Sequence, residues 1–204
     1  MAVNNPVEDV GKDIRMVENI LNGVRVAILA TDGFEQIELV APRTALDNAG
    51  AKTTLIAPMS GSIYGMKHHD KADDFDVDLE LDEAEPGDFD AVLLPGGALN
   101  ADALRVEKAA QQFVRQIDQN GLPIAVICHG PWLLVSAKLT HGRTLTSYHT
   151  IQDDIQNAGA TWMDKEVLRD RNWVSSGQPA DIPAFTGEMI ALFGERKARS
   201  RSAF

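Results

Sequence analysis

Apolar and polar positions alternate in blocks along the chain. Val24 to Ala30 is a short apolar run, broken only by Arg25, and reads as a buried strand. A helical stretch follows from about Glu35 to Asn48 and stops at Gly50. Pro42 lies inside it, which predicts two helical pieces or a kink, with Pro42 near a first turn. Thr53 to Ala57 reads as a second strand, and Gly61 to His69 with the acidic segment after it as a hairpin or edge extension. In that acidic segment Phe75, Val77, Leu79 and Leu81 alternate with Asp74, Asp76, Asp78, Glu80 and Asp82. Period two predicts a strand with one buried and one wet acidic face, not a metal site.

Phe89 to Leu94 is another buried strand, ended by Pro95-Gly96-Gly97. Val106, Ala109, Ala110, Phe113, Val114 and Ile117 then mark one face of an amphipathic helix, closed by Asn120-Gly121. Pro123 to Ile127 is the next strand, with a helix pattern after Gly130 and a short helix over Ile151 to Ala158. Val167 to Ser176, turning at Asp170-Arg171-Asn172, reads as a hairpin, and the last helix runs from about Ile182 to Phe193. Strand and helix in alternation, with short connections, predict an α/β fold whose mostly parallel sheet is covered on both faces. Sites on such sheets lie at the carboxyl ends of the strands. Three loops fall there: Asp32 to Glu35, Pro95 to Gly97, and Cys128-His129-Gly130.

The 204 residues suit one domain, read as an arm over 1–22, an α/β body over 23–195 and a basic tail over 196–204. Arg196, Lys197, Arg199 and Arg201 make that tail a solvated, frayed terminus. With 44% apolar residues the chain can fill a core, and the net charge of −11 excludes nucleic acid and anionic membrane as main partners. No stretch has the apolar length of a membrane span. Met1 to Val10 carries Glu8 and Asp9 without the basic and apolar regions of a signal peptide, and Cys128 is the single cysteine. Both point to a reducing cytoplasm.

Cys128 follows the apolar run Ile124 to Ile127 and precedes His129-Gly130-Pro131, the pattern of a nucleophile elbow where a strand turns sharply into a helix. The helix N-terminus and its free N–H groups are expected to favour thiolate there. The N–H groups of Gly97 and His129 are candidates for an oxyanion hole. No Gly-Lys-Ser/Thr follows the glycines, so the loop is not a phosphate cradle, and no cofactor or metal is expected. Glu35 is positioned to lie near the thiol if the loops converge. The base stays open among His129, His149 and His141, with His68 and His69 in the hairpin region.

Taken together these residues resemble the ThiJ/PfpI superfamily, within it the PfpI-like intracellular protease and general stress protein group. The matching pieces are Gly33-Phe34-Glu35 with Glu38-Leu39, Asp90 through Gly97, and Ile127 through Pro131. Thr146-Ser147-Tyr148, Asp153-Asp154, Asn157 to Gly159 and Asn172 to Ser176 complete them. The resemblance implies a flavodoxin-like α/β three-layer sandwich related to class I glutamine amidotransferase domains. It implies Cys128 at the elbow with Glu35 hydrogen-bonded to its sulfur, and a homodimer or higher homo-oligomer. Where the hexameric proteases carry an interface glutamate, this chain has Ala101, flanked by Asn100 and Asp102. Trp132 stands for a common glutamine, His149 for a proline, and Ser176-Gly177-Gln178-Pro179 for Ser-Arg-x-Pro. Trp132, His149 and Asp102 are therefore candidate accessory residues.

The resulting expectation is a cysteine-dependent enzyme on small carbonyl electrophiles, glyoxalase- or deglycase-like, or a hydrolase. Cys128, His129 and Glu35 are its catalytic residues, and a small carbonyl compound or an oxidant is its partner. The alternative is a non-catalytic redox sensor or holdase in which Cys128 oxidises to sulfenic or sulfinic acid. A glutamine amidotransferase subunit needs a distal His-x-Glu, and neither His141 nor His149 has an acid two residues on.

Overall fold

The computed structural model of the protein describes residues 20–202. In chain order the elements are β1 (Arg25–Leu29), β2 (Phe34–Glu35), α1 (Gln36–Asn48), β3 (Lys52–Ala57), β4 (Ser62–Lys67), β5 (Asp70–Asp76) and β6 (Leu79–Glu80). There follow β7 (Ala91–Leu94), α2 (Ala98–Leu104), α3 (Lys108–Gln119), β8 (Ile124–Ile127), α4 (Pro131–Ser136) and β9 (Thr144–Leu145). Then come α5 (Gln152–Asn157), β10 (Thr161–Trp162), β11 (Val167–Asp170), β12 (Trp173–Ser176) and α6 (Ile182–Ser202).

The main sheet has the order β11-β12-β8-β7-β1-β3-β6. Only β11 is antiparallel to its neighbour. Leaving out β6 and β11, the order is that of flavodoxin-like sheets, with the switch point between β1 and β7. The strands are apolar without interruption because both faces are covered. Val26, Ile28, Leu55, Leu93, Ala125, Ile127 and Val174 pack under Leu39 and Leu46 of α1 and Phe185, Met189 and Phe193 of α6. Ala27, Leu29, Val92, Leu94, Val126 and Trp173 pack on the other face under Phe113, Val114 and Ile117 of α3 and Leu133 and Leu134 of α4. Each such large side chain, fully buried, contributes about 1.5–3 kcal/mol. The three-layer sandwich thus follows from the period of each segment.

Several details differ from the sequence expectation. α1 is one continuous helix with Pro42 in its interior, buried, and not in a first turn. One lost backbone hydrogen bond is outweighed by the stripe Glu38, Pro42 and Leu46 that the helix turns inward. Val106 lies before α3 and is 67% exposed, so the apolar face starts at Ala110. β5 has no fully buried face; Phe75 is half-buried, its ring edge on Phe34 at 5.3 Å. Leu79 belongs to a separate strand on the main sheet's edge. α6 continues to Ser202, through most of the segment expected to fray, and Lys197 Nζ donates to the Ile20 carbonyl at 3.1 Å. Most of the expected arm lies outside the described residues, but Leu21 is fully buried and its N–H donates to the Ala49 carbonyl at 2.9 Å. The two-residue strands β2, β9 and β10 are too short for a periodicity to show.

Candidate active site

Three loops meet beside the switch point. β8 ends at Ile127, α4 begins at Pro131, and between them Cys128 has φ 62°, in the left-handed region that side chains disfavour. The Cys128 N–H donates to the Ser176 carbonyl at 3.0 Å, and its own carbonyl accepts the Tyr148 N–H at 2.9 Å. Those two bonds hold the strained residue in place. The predicted elbow is therefore present. Its neighbours leave no room for side chains: a Cβ on Gly130 would lie 2.9 Å from the Leu94 carbonyl oxygen, and one on Gly96 would collide with Glu38 and Cys128. Asn100 latches the glycine loop. Its Oδ1 accepts the Thr31 N–H at 2.8 Å, and its Nδ2 donates to the carbonyls of Pro95 and Gly96.

The carboxyl beside the sulfur belongs to Glu38, not to Glu35 as the resemblance implied. Glu35 is the last residue of β2, which pairs with β4, and its Oε2 accepts the His68 N–H at 3.1 Å. Three residues on, in the first turn of α1, Glu38 points inward and is fully buried. Its Oε2 accepts the Gly96 N–H at 3.0 Å, and its Oε1 is buried without a hydrogen-bond partner. Burial pushes the Glu38 carboxyl up to about 8; contact with the Cys128 thiol and the Gly96 N–H pull it down, and the Glu35 charge adds to the rise. Burial, then the Glu38 charge, push the thiol above its ordinary range, although the N–H groups of Gly97 and His129 pull it down. The resting pair is thus a thiol beside a neutral carboxylic acid. The expected thiolate is not the resting form, because burial outweighs the two backbone donors that were predicted from sequence.

His129 Nδ1 lies 3.2 Å from Cys128 Sγ. Its Nε2 lies 3.3 Å from Thr150 Oγ1. Burial, then the charge of His149, hold His129 below the ordinary histidine range, so it is neutral at pH 7 and able to accept a proton. Tyr148 and Trp132 pack on the ring at 5.0 and 5.4 Å between centroids.

A cleft of about 550 Å³ opens over the sulfur, lined by Glu35, Glu38, Gly97, Cys128 and His129 with Met66, His68, His69, Leu99, Tyr148 and Pro179 among others. The remaining candidates sit apart from it. Asp102 is exposed on α2 outside the cleft, and Ala101 beside it is buried. Trp132 donates from Nε1 to Asp154 Oδ2 at 3.0 Å and braces His129 from behind. His149 is exposed and faces a neighbouring polar depression with Asp164, Lys165 and Gln178. His141 packs by Gly159, away from the thiol. Sequence reasoning missed Glu38, Asn100 and Thr150. The signal for Glu38 was an acid on the same inward stripe as Pro42 and Leu46; nothing in the sequence marks Thr150. Among the described residues no group of three or more His, Cys, Asp or Glu is placed to hold a metal, and no helix is long and apolar enough to cross a membrane.

Residues 24–192 match the DJ-1/PfpI family. The chain is 41% identical over 169 residues to Deglycase TK1284 of Thermococcus kodakarensis, covering 83% of this chain and 99% of that protein. It is 38% identical over 171 residues to Protein/nucleic acid deglycase 2 of Escherichia coli, covering 83% and 98%. The crystal structure of Drosophila melanogaster DJ-1beta superposes with a TM-score of 0.76 at 25% identity, over 87% of this chain and 94% of that one.

Proposed function

The chain belongs to the DJ-1/PfpI family, and on that footing we propose that it is a cysteine-dependent enzyme acting on small carbonyl electrophiles, in the manner its deglycase-named relatives suggest. The observation that carries this reading is the pairing of Cys128 Sγ with a neutral His129 Nδ1 at 3.2 Å, at the floor of a cleft large enough for a small molecule. A thiol held above its ordinary pKa needs a base at the moment of attack, and His129 is placed to be that base.

In the proposed step Sγ bonds to an aldehyde carbon while the C=O π pair moves onto oxygen. The thiol proton passes to His129 Nδ1 and then to that oxygen, leaving a hemithioacetal. The N–H groups of Gly97 and His129, which face the sulfur, stabilise the negative oxygen. For a 2-oxoaldehyde, moving the C1 proton to C2 through an enediol turns the hemithioacetal into a thioester. Water then releases a 2-hydroxy acid and regenerates the thiol, so no oxidant is consumed. Glu38, at about 8, is ionised in a minority of molecules at pH 7, and that form can take the C1 proton and return it at C2. A peptidase reading has less support, because the position of the protease glutamate is the buried Ala101.

The test is turnover of methylglyoxal to its 2-hydroxy acid by wild type and Cys128→Ala. The variant is expected to lose at least about 10³-fold. Turnover that survives the substitution overturns the reading. A second reading, a peroxide sensor, draws on Glu38: a neutral carboxyl beside the sulfur can donate a hydrogen bond to a sulfinate. It ranks second because oxidation by peroxide needs thiolate at rest, which burial opposes here. Cys128 gaining two oxygens at low peroxide, with no Cys128-dependent turnover, would reverse that ranking.

A further inference from the structure

His129 has to satisfy two conditions to serve Cys128. Its ring must keep Nδ1 toward the sulfur, and the proton of the neutral ring must sit on Nε2. Rings fix the first condition only in part. Tyr148 and Trp132 hold the plane of the imidazole, and Trp132 is itself held by Asp154 and by the Arg105 guanidinium 4.9 Å from its ring. Packing of this kind does not distinguish nitrogen from carbon at the far edge of the ring. A hydrogen-bond partner at Nε2 does. The atom found there is Thr150 Oγ1 at 3.3 Å.

Thr150 is in the short 3₁₀ turn His149–Ile151, directly after Tyr148. The Tyr148 N–H is bonded to the Cys128 carbonyl, so the turn that carries Thr150 is tied to the elbow it serves. No acid takes this place from the glycine-loop side: Ala101 is buried and Asp102 lies outside the cleft. The side chain that acts electrostatically on His129 is another histidine, His149, which lowers its pKa where an acid would raise it.

We propose that Thr150 is the positioning residue of the Cys128–His129 pair: His129 Nε2–H donates to Thr150 Oγ1, which leaves the Nδ1 lone pair facing the thiol. The chain thereby completes its thiol–histidine–hydroxyl array within one subunit. A hydroxyl in this role orients the ring without raising its basicity as a carboxylate would. This rests on the reading of Cys128 and His129 as a reactive pair, and the test separates the two.

Thr150→Val and Thr150→Ser in the full-length protein are compared with wild type by two readouts. One is the rate at which iodoacetamide alkylates Cys128; the other is kcat and KM for methylglyoxal. Thr150 is exposed, so both variants are expected to melt with the wild type. Thr150→Val should lose about three- to tenfold in alkylation rate and in kcat, the worth of one neutral hydrogen bond, with KM unchanged. Thr150→Ser should return both to within about twofold of wild type. Wild-type rates in the valine variant overturn the proposal, and so does a serine variant as impaired as valine, since that marks a role of shape alone. If wild type alkylates, the valine variant slows, and neither turns over methylglyoxal, the positioning role stands and the carbonyl-enzyme reading falls.

Discussion

The two ends of the central sheet each hold a carboxyl, half-buried at one and fully buried at the other, and they treat it in opposite ways. At the amino ends of β8 and β12, Asp118 Oδ1 accepts Arg143 Nη2 at 2.7 Å, Asn172 Nδ2 at 2.9 Å and Trp173 Nε1 at 2.7 Å. Arg143 also donates to Asn172 Oδ1 at 3.0 Å and stacks 4.1 Å over the Trp173 ring. At the carboxyl ends, Glu38 is more deeply buried yet accepts one N–H, and its second oxygen has no partner. Asp118 is held by the Arg143 guanidinium and two neutral N–H donors. Glu38 meets the cost of burial by keeping its proton. A carboxyl whose oxygen collects three donors, one of them a guanidinium, is held in place and holds structure; a buried one with an oxygen left unpaired beside a thiol can exchange a proton with that neighbour. The neighbour here is the only cysteine.

The largest expected effect tests the paired end. Arg143→Met keeps the volume but leaves Asp118 without its counter-charge, and should cost about 4 kcal/mol in denaturant unfolding. Turnover of the folded variant at room temperature should be unchanged, because the network is remote from the cleft. A loss below about 1 kcal/mol would break the contrast, since the pair would then be holding little.

The second effect belongs to Glu38 and has the opposite character. Its folded pKa is raised to about 8 from 4.5. Between those values the native state carries a proton that the unfolded chain has released, so the native state binds more protons and stability falls as pH rises through that window. Above about 8 both states are ionised and the slope ends. The drop attributable to this group is on the order of 3 kcal/mol. Glu38→Gln should flatten the stability profile between pH 5 and pH 8 by about that amount, measured as unfolding midpoints at each pH. A profile as steep as wild type would place the proton elsewhere.

Much of this was legible in the residues. Uninterrupted apolar strands told of a sheet covered on both faces, and Ile124 to Pro131 announced the elbow, because both are local patterns. Gly97 and His129, candidates for an oxyanion hole, came from the same logic, and both N–H groups face the sulfur. What could not be read was which of two nearby acids turns inward. Glu35 and Glu38 differ only in that a two-residue strand, β2, ends at the first and a helix carries the second. That choice is made by pairing with β4, some thirty residues further on. Thr150 was invisible for the same reason: its partner lies twenty-one residues earlier and the contact is tertiary. The thiol's resting state also escaped, since burial of the whole corner outweighs the local pull of backbone donors.

The smallest effect isolates the backbone strain at the elbow. Cys128 and Lys138 both have φ 62°, the first buried and the second exposed. A non-glycine residue there costs on the order of 1 kcal/mol. Cys128→Ala removes the sulfur and keeps the strain; Cys128→Gly removes both. The glycine variant should therefore be the more stable of the two by about 1 kcal/mol, read as the difference between their unfolding midpoints. Lys138→Gly should gain a similar amount and keep full turnover. The comparison separates two uses of one backbone conformation: at Lys138 it merely ends a helix, while at Cys128 it aims a thiol at His129. If glycine at 128 gains nothing over alanine, the bonds to Ser176 and Tyr148 already absorb the strain, and the elbow is held at no cost to the fold.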